Sequence, residues 1–345
     1  MSEQEERPDF KYDGQLIFNG IRATTVHSER PDELKDDLLG GLSEFERGKP
    51  NRENEGFSDI DLARLANGQE YLLESDLAEL ASRIIDKKYT WENYKGTKNL
   101  EFVDNNGKQT RAWLRQTNEA YVYWDYPDYM LVQGAQGKVE QTEKAINSEL
   151  GEDVTVDDLG FHPDFLLWFL YRHDYAEEGI PGPIKPIKLE SSEVSGDLEQ
   201  YGQVNRVEDS KNIGESLPII LALLQEMDFQ MMEGIFKVNG YDVNAEIKKE
   251  GRIHVMVSGS IDRAETHLKR ALIALFFVSE FVRLYREWQS MDKKEKYPPF
   301  TFFDDLAGTA AENNVDLDFD LDSLIEDFEE KRDERADPDD FDYIG

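Results

Sequence analysis

A formal net charge of −35 limits what this chain can fold into more than any motif it carries. The charge comes from 74 Asp and Glu against 39 Lys and Arg, and the acids run along most of the 345 residues. In ordinary saline such a surplus strains a compact state by self-repulsion. At molar salt the screening length falls to about 3 Å, and the strain falls with it. The reading this supports is a halophilic, acidic protein made for a cytoplasm that accumulates salt. Acidity then carries no information about partners, and a basic patch becomes the signal.

The chain still has the means to fold. Its hydrophobic fraction of 39% and aromatic fraction of 11% exceed what a disordered chain shows, and its length allows two modest cores. Cys is absent, which excludes disulfides, thiolate nucleophiles and Cys-based metal sites. The opening "MSEQEERPDF" has no charged-then-apolar signal pattern. The longest near-apolar run, Arg270 to Val282, is shorter than the ~20 residues of a membrane span and contains Glu280. A cytoplasmic protein with no membrane contact is expected.

Periodicity divides the chain into five parts: an acidic N-terminal arm (1–60), a first α+β module (61–178), a Pro/Gly/Ser-rich linker (179–212), a second α+β module (213–297) and an acidic C-terminal tail (298–345). In the first module, Leu77, Leu80 and Ile84 at helical spacing predict a helix over Glu74–Lys88. Four short strands follow, at Leu100–Val103, Arg111–Arg115, Ala120–Trp124 and Tyr129–Val132, with a hairpin turn at "DNNGK". A helix over Gly137–Leu150 and a more buried one through "FHPDFLLWFLYRHDY" complete the module. Pro181, Pro183 and Pro186 deny the next stretch a helix and leave a linker or an edge strand. The second module reads as a helix at "ESLPIILALLQEM", strands at Phe229–Val238, Tyr241–Lys248 and Arg252–Val257, and a long helix over Asp262–Gln289. The tail, with a balance of about −14 from Asp304 onward, has apolar residues too sparse for a core of its own and is expected to be separable.

The fold class expected is therefore α+β: two related modules, each a small antiparallel sheet flanked by helices, plus acidic termini. At an offset of 125 residues, Val132 falls on Val257, Gly134 on Gly259, Glu140 on Glu265, Lys144 on Lys269 and Leu150 on Leu275. These matches point to an internal duplication. Their strand–Gly–helix ending resembles that of helix-grip and TBP-like folds.

Catalytic signatures are missing. "GAQGKV" (Gly134 to Val139) is the nearest thing to a phosphate turn, with Lys138 beside a helix start, but it is too short for a Walker loop. The five histidines lack metal-ligand spacing, and "RHD" (Arg172 to Asp174) suits a helix C-terminus as well as a catalytic pair. Asp318, Asp320, Asp322 and Glu329 have calcium-loop spacing, but Ser323 stands where the loop demands Gly. No catalytic residue, metal or cofactor is expected. The tail's acidic-apolar alternation around Leu321 and Leu324 suits a solvated tail or a segment that folds on a partner.

What stands out is basic. From Arg83 to Arg115 there are eight basic residues against four acidic, interleaved with aromatics. Lys87, Lys88, Trp91, Tyr94, Arg111, Trp113 and Arg115 are the candidate contact residues here. Arg111, Trp113 and Arg115 share one strand face, since same-face residues alternate. A second island, Arg283 to Tyr297, has five basic residues against three acidic and offers Arg283, Arg286 and Trp288. Lys138 is added from the Gly turn. The function expected is a non-catalytic interaction or scaffolding protein that meets a protein partner through these islands. The alternative is an accessory protein binding single-stranded nucleic acid, where cations follow phosphates and rings stack on bases. An enzyme acting on a phosphate ligand at Gly134–Lys138 ranks third. The sequence is silent on oligomeric state.

Overall fold

The computed structural model describes residues 15–46, 54–67, 73–103, 109–196, 204–257, 267–315 and 321–344. The chain parts into two compact units, one from Ile17 to Leu159 and the other from Gly160 onward. Each mixes helices with antiparallel strands, the α+β character expected.

The first unit runs β1 (Gln15–Val26), α1 (Pro31–Gly41), β2 (Asn54–Asp59), α2 (Leu62–Asn67), α3 (Ser75–Arg83), β3 (Ile85–Val103), β4 (Gln109–Asp125), β5 (Tyr129–Gln133), α4 (Gln136–Leu150) and β6 (Val154–Asp158). Its strands lie in the order β2-β3-β4-β5-β1, with β6 pairing along the second half of β1. Leu38 of α1 and Val139, Ile146 and Leu150 of α4 close over Ile85, Tyr89, Val122, Trp124 and Met130 of the sheet. Each such side chain, fully buried, contributes roughly 1.5–3 kcal/mol.

Helix α3 stops at Arg83, five residues before the expected end, because the period changes there. Ile85, Lys87, Tyr89 and Trp91 alternate in a run rich in aromatic and β-branched residues, which suits a pleated surface better than a helix. The expected strands at Leu100–Val103 and Arg111–Arg115 are the far ends of two long strands. Their pairing runs from Ile85–Trp124 to Val103–Gln109, with an irregularity between Gly96 and Glu101. The "DNNGK" turn lies outside the described residues. Polar "NEGFSD" reads as a loop yet forms β2, with Phe57 as its one large apolar side chain. Gly56 is needed there: a Cβ would come within 2.7 Å of the backbone of Glu44 and Phe45, which crosses it. Phe45 N–H donates to Phe57 O at 2.9 Å, and Phe57 N–H to Ser43 O at 2.8 Å. Residues 17–46 and 54–59, expected in an N-terminal arm, thus belong to this unit, and residues 1–14 lie outside the described part.

The second unit runs α5 (Pro163–Asp174), β7 (Lys185–Ser195), β8 (Val204–Val207), α6 (Leu217–Leu224), β9 (Asp228–Val238), β10 (Tyr241–Lys248), β11 (Arg252–Val257), α7 (His267–Ser290), α8 (Lys293–Lys296), α9 (Phe300–Glu312) and α10 (Asp322–Arg332). Its strands lie in the order β8-β7-β9-β10-β11. Phe165 and Phe169 of α5, Phe236 of β9 and Phe277 and Phe281 of α7 meet ring to ring at its centre.

Two stretches read as peripheral are structured. The expected linker holds β7, which buries Leu189, Ser192 and Val194. Pro186 sits where β8 does not reach, beside a shift in register against β9, so its missing N–H is tolerated. The expected tail holds α9 and α10, which bury Phe302, Phe303, Leu306, Leu324 and Phe328. Acids between these residues made them look sparse, yet Phe302, Phe303, Leu306, Ala307 and Ala310 keep helical spacing. Asp318 and Asp320 lie outside the described residues, as do Gly259 and Glu265 of the proposed repeat.

The order helix, three-stranded meander, helix occurs in both units, as α3-β3-β4-β5-α4 and α6-β9-β10-β11-α7. In each, an earlier strand, β2 or β7, lies antiparallel against the first meander strand. Among the described residues no helix is long and apolar enough to cross a membrane.

Candidate interaction surface

Strand alternation decides where the first basic island points. Ile85, Lys87, Tyr89 and Trp91 share the face of β3 that packs under α4, and Asp86, Lys88, Thr90 and Glu92 share the other. Lys87 stands directly opposite Asp59 of β2, and its Nζ lies 2.5 Å from the Asp59 carboxylate. Lys88 Nζ is 3.5 Å from Glu119 on β4. Arg115 Nη1 is 3.5 Å from Glu92, whose side chain is buried. Trp91 stacks on Tyr89 with ring centroids 5.3 Å apart, so one face of the indole is already covered. Tyr89 in turn donates its hydroxyl proton to Glu55 at 2.6 Å.

On the backbone, Arg115 is paired with Tyr94, Trp113 with Gly96 and Arg111 with Glu101. The side chains of Tyr94, Arg111 and Trp113 lie outside the described residues.

In the second island Tyr285 and Trp288 are core, and its cations lie at or near the surface. Trp288 is 2% exposed, stacks against Tyr285 and donates Nε1–H to Lys296 O at 2.9 Å. The Lys296 ammonium caps the indole 4.4 Å from its centroid. Arg283 pairs with Glu280 and Glu287, and Arg286 is half-buried on the same helix. The expectation that Trp288 contacts a partner is thus corrected: helical spacing sets it inward beside Leu284 and Tyr285. Trp288→Ala is expected to cost roughly 3–5 kcal/mol, read as a lower midpoint in a urea melt.

Lys138 is also committed. Its Nζ donates to the Glu119 carbonyl at 3.1 Å, which ties it to β4 and draws it away from the start of α4. No protein-family model matches this chain, and no curated protein matches it. The site must therefore be read from its chemistry alone.

The "RHD" triplet ends α5. His173 Nε2 lies 3.5 Å from the Asp174 carboxylate. Burial holds the imidazole below its usual range and pushes Asp174 up to about 6. Asp174 Oδ2 is buried without a hydrogen-bond partner against Gly214, where a Cβ would stand only 2.0 Å away. Among the described residues no three His, Asp or Glu are grouped to hold a metal ion.

Asp86 is the strained acid of the first unit. Burial pushes its carboxyl to about 6, although Leu62 N–H donates to it at 2.9 Å. The folded-state value exceeds the unfolded one, so the folded protein holds the extra proton between about pH 4 and 6. This group's contribution is complete below that window and is lost as pH rises through it. Asp86→Asn keeps an acceptor for Leu62 and is expected to stabilise the protein at pH 7 by on the order of 2 kcal/mol, with little gain at pH 4, measured by urea melts at both.

An open cleft of about 700 Å³ adjoins the island, walled by the end of α1 (Leu39 to Leu42) and by Glu44, Phe57, Asp59 and Lys87. What sequence reasoning missed is the carboxylate set Asp59, Glu92 and Glu119. Lys87–Asp59 becomes visible only once "NEGFSD" is recognised as a strand.

Proposed function

We propose that this chain is a non-catalytic interaction or scaffolding protein of a salt-accumulating cytoplasm, meeting a protein partner at the outer surface of β2, β3 and β4. The carrying observation is the pairing, on the one face of β3 and β4 turned away from α4, of Lys88 with Glu119 and of Arg115 with Glu92. A mosaic of opposed charges complements a second mosaic, and it gives specificity more than raw affinity. A nucleic acid would have to displace two carboxylates on that face, and Trp91 stands on the opposite face, stacked on Tyr89. Phosphate chemistry at the Gly turn loses its cation to the Glu119 carbonyl. The shared helix–meander–helix order supports reading the two units as related modules.

A photo-cross-linking residue in place of exposed Thr117, between Arg115 and Glu119 on the same face of β4, tests the reading in cells at their native salt. A discrete protein adduct, lost on Lys88→Glu, is the expected result. Binding of a single-stranded oligonucleotide at molar KCl that Lys88→Glu abolishes would overturn it in favour of the nucleic-acid alternative.

A further inference from the structure

The end of the chain is held in a way that its few contacts make easy to imitate. Asp304, on the inner side of α9, is only 7% exposed. It accepts three consecutive backbone N–H groups, from Asp342 at 3.1 Å, Tyr343 at 2.9 Å and Ile344 at 3.0 Å. A carboxylate receiving several amide protons makes charge-assisted bonds, stronger than neutral ones, and it reads backbone without regard to side chain. One turn further along α9, Gly308 supplies a notch. A Cβ there would come 2.7 Å from the Tyr343 ring. Phe341 meets Phe300 edge to face, with centroids 6.4 Å apart. Beside it a cavity of about 290 Å³ is lined by Arg332 and Arg335 together with the strap's own Asp337 and Asp340.

Held this way, residues 337–344 use an acceptor for backbone, a notch for one ring and a platform for another, beside a cavity that Arg335 also lines. These are the components of a site for a turned peptide segment, whose successive N–H groups converge on one carboxylate. The strap is also lightly held for a structural element: Tyr343 remains 55% exposed, and Pro338 to Asp340 are exposed throughout. We propose that the α9 face is a peptide-docking site, occupied in cis by the chain's own end. A separate protein would enter it with a curled acidic segment carrying an aromatic–x–aromatic–aliphatic pattern like Phe341 to Ile344. In that reading the strap is a competitor. Tethering gives it a high effective concentration, on the order of mM, so a partner must bind more tightly or find the strap released. This site is distinct from the β2–β4 surface, and either can fail without the other.

The test uses the full chain. Tyr343→Ala removes the ring from the notch, and because that ring is largely exposed the fold is left in place. A fluorescein-labelled peptide of the sequence ADPDDFDYI is titrated into wild type, Tyr343→Ala, and Tyr343→Ala with Gly308→Ala, followed by anisotropy. Wild type is expected to bind weakly and Tyr343→Ala about 10-fold more tightly, since its strap competes less. The double variant should lose that gain. Ala is a better helix former than Gly, so the second substitution blocks the notch without weakening α9. Equal binding by wild type and Tyr343→Ala would overturn the proposal, as would a double variant that binds like the single one. Mixed dimers of wild type with Tyr343→Ala, the wild-type strap seated in the variant, would overturn the assignment of a separate partner in favour of a second copy.

Discussion

Ending the chain after Pro298 is expected to abolish the cooperative fold of the second unit. That outcome opposes what the charge of this region suggests. The segment removed carries Phe302, Phe303, Leu306, Leu324 and Phe328, each at most 3% exposed. Phe302 meets Tyr171 and Tyr175 of α5 and its C-terminal turn, with ring centroids 5.4 and 4.9 Å away. Phe328 closes on Phe303 at 4.5 Å and on Tyr297 at 6.4 Å. Arg332, itself buried, donates to the carbonyls of Lys294 and Tyr297, and Lys331 lies 3.2 Å from the buried Asp164 on α5. Deleting one buried phenylalanine costs roughly 3–5 kcal/mol. Losing several together exceeds the 5–15 kcal/mol that typically separates folded from unfolded domains. Near-UV circular dichroism and a urea melt of the shortened chain decide the matter. A cooperative transition within about 1 kcal/mol of the full-length one would show that these helices pack without holding the unit together. Phe302→Ala and Phe328→Ala in the full chain give graded versions, each expected to lose roughly 3–5 kcal/mol.

The reason that region misleads also explains what was legible elsewhere. Where apolar residues are dense, period alone located the elements: β10 and β11 lie at Tyr241–Lys248 and Arg252–Val257, as the alternation and the glycines at 240 and 251 predict. Helices α4 and α5 fall on the expected stretches for the same reason. Legibility ends where a local pattern is outvoted by a partner distant in sequence. Asn54–Asp59 has one large apolar residue and becomes a strand because Ser43–Phe45 and β3 flank it on both sides. Phe302, Phe303 and Leu306 are diluted by Asp304 and Asp305. One of these acids is itself buried, as the acceptor for the chain's end. The first basic island was visible as composition, but its neutralisation was not. Lys88 and Glu119, 31 residues apart in number, meet only through β3–β4 register. The Asp304–Gly308 notch carries no sequence signature, since a helical Gly reads only as a weak helix former.

Salt is expected to move stability further than any single substitution. At about 0.1 M KCl the protein should melt early or fail to fold, and at about 3 M KCl it should melt cooperatively at a much higher temperature. Two electrostatic effects oppose each other. Exposed ion pairs such as Arg30–Glu33 and Arg64–Asp61 are screened by salt, but such pairs contribute only about 0–1 kcal/mol each. The repulsion of a net −35 acts across the whole surface and is screened at the same time. The larger effect wins, so added salt should stabilise. Buried acids sharpen the argument. Asp86 and Asp174 are pushed to about 6 by burial, and Asp228 and Asp305 are raised as well, Asp305 with the Asp304 charge adding to its burial. Their folded-state values lie above the unfolded ones, so stability rises as pH falls through about 6 toward 4. At low salt, therefore, mild acid should replace part of the missing KCl, and at about 3 M KCl the same pH change should do less. Sucrose separates screening from preferential exclusion, since it strengthens burial without carrying charge. If KCl and sucrose raise the melting temperature alike, exclusion is the cause. If the midpoint is the same at both salt concentrations, the halophilic reading fails. The acidity would then return as information about partners, which would have to be cationic.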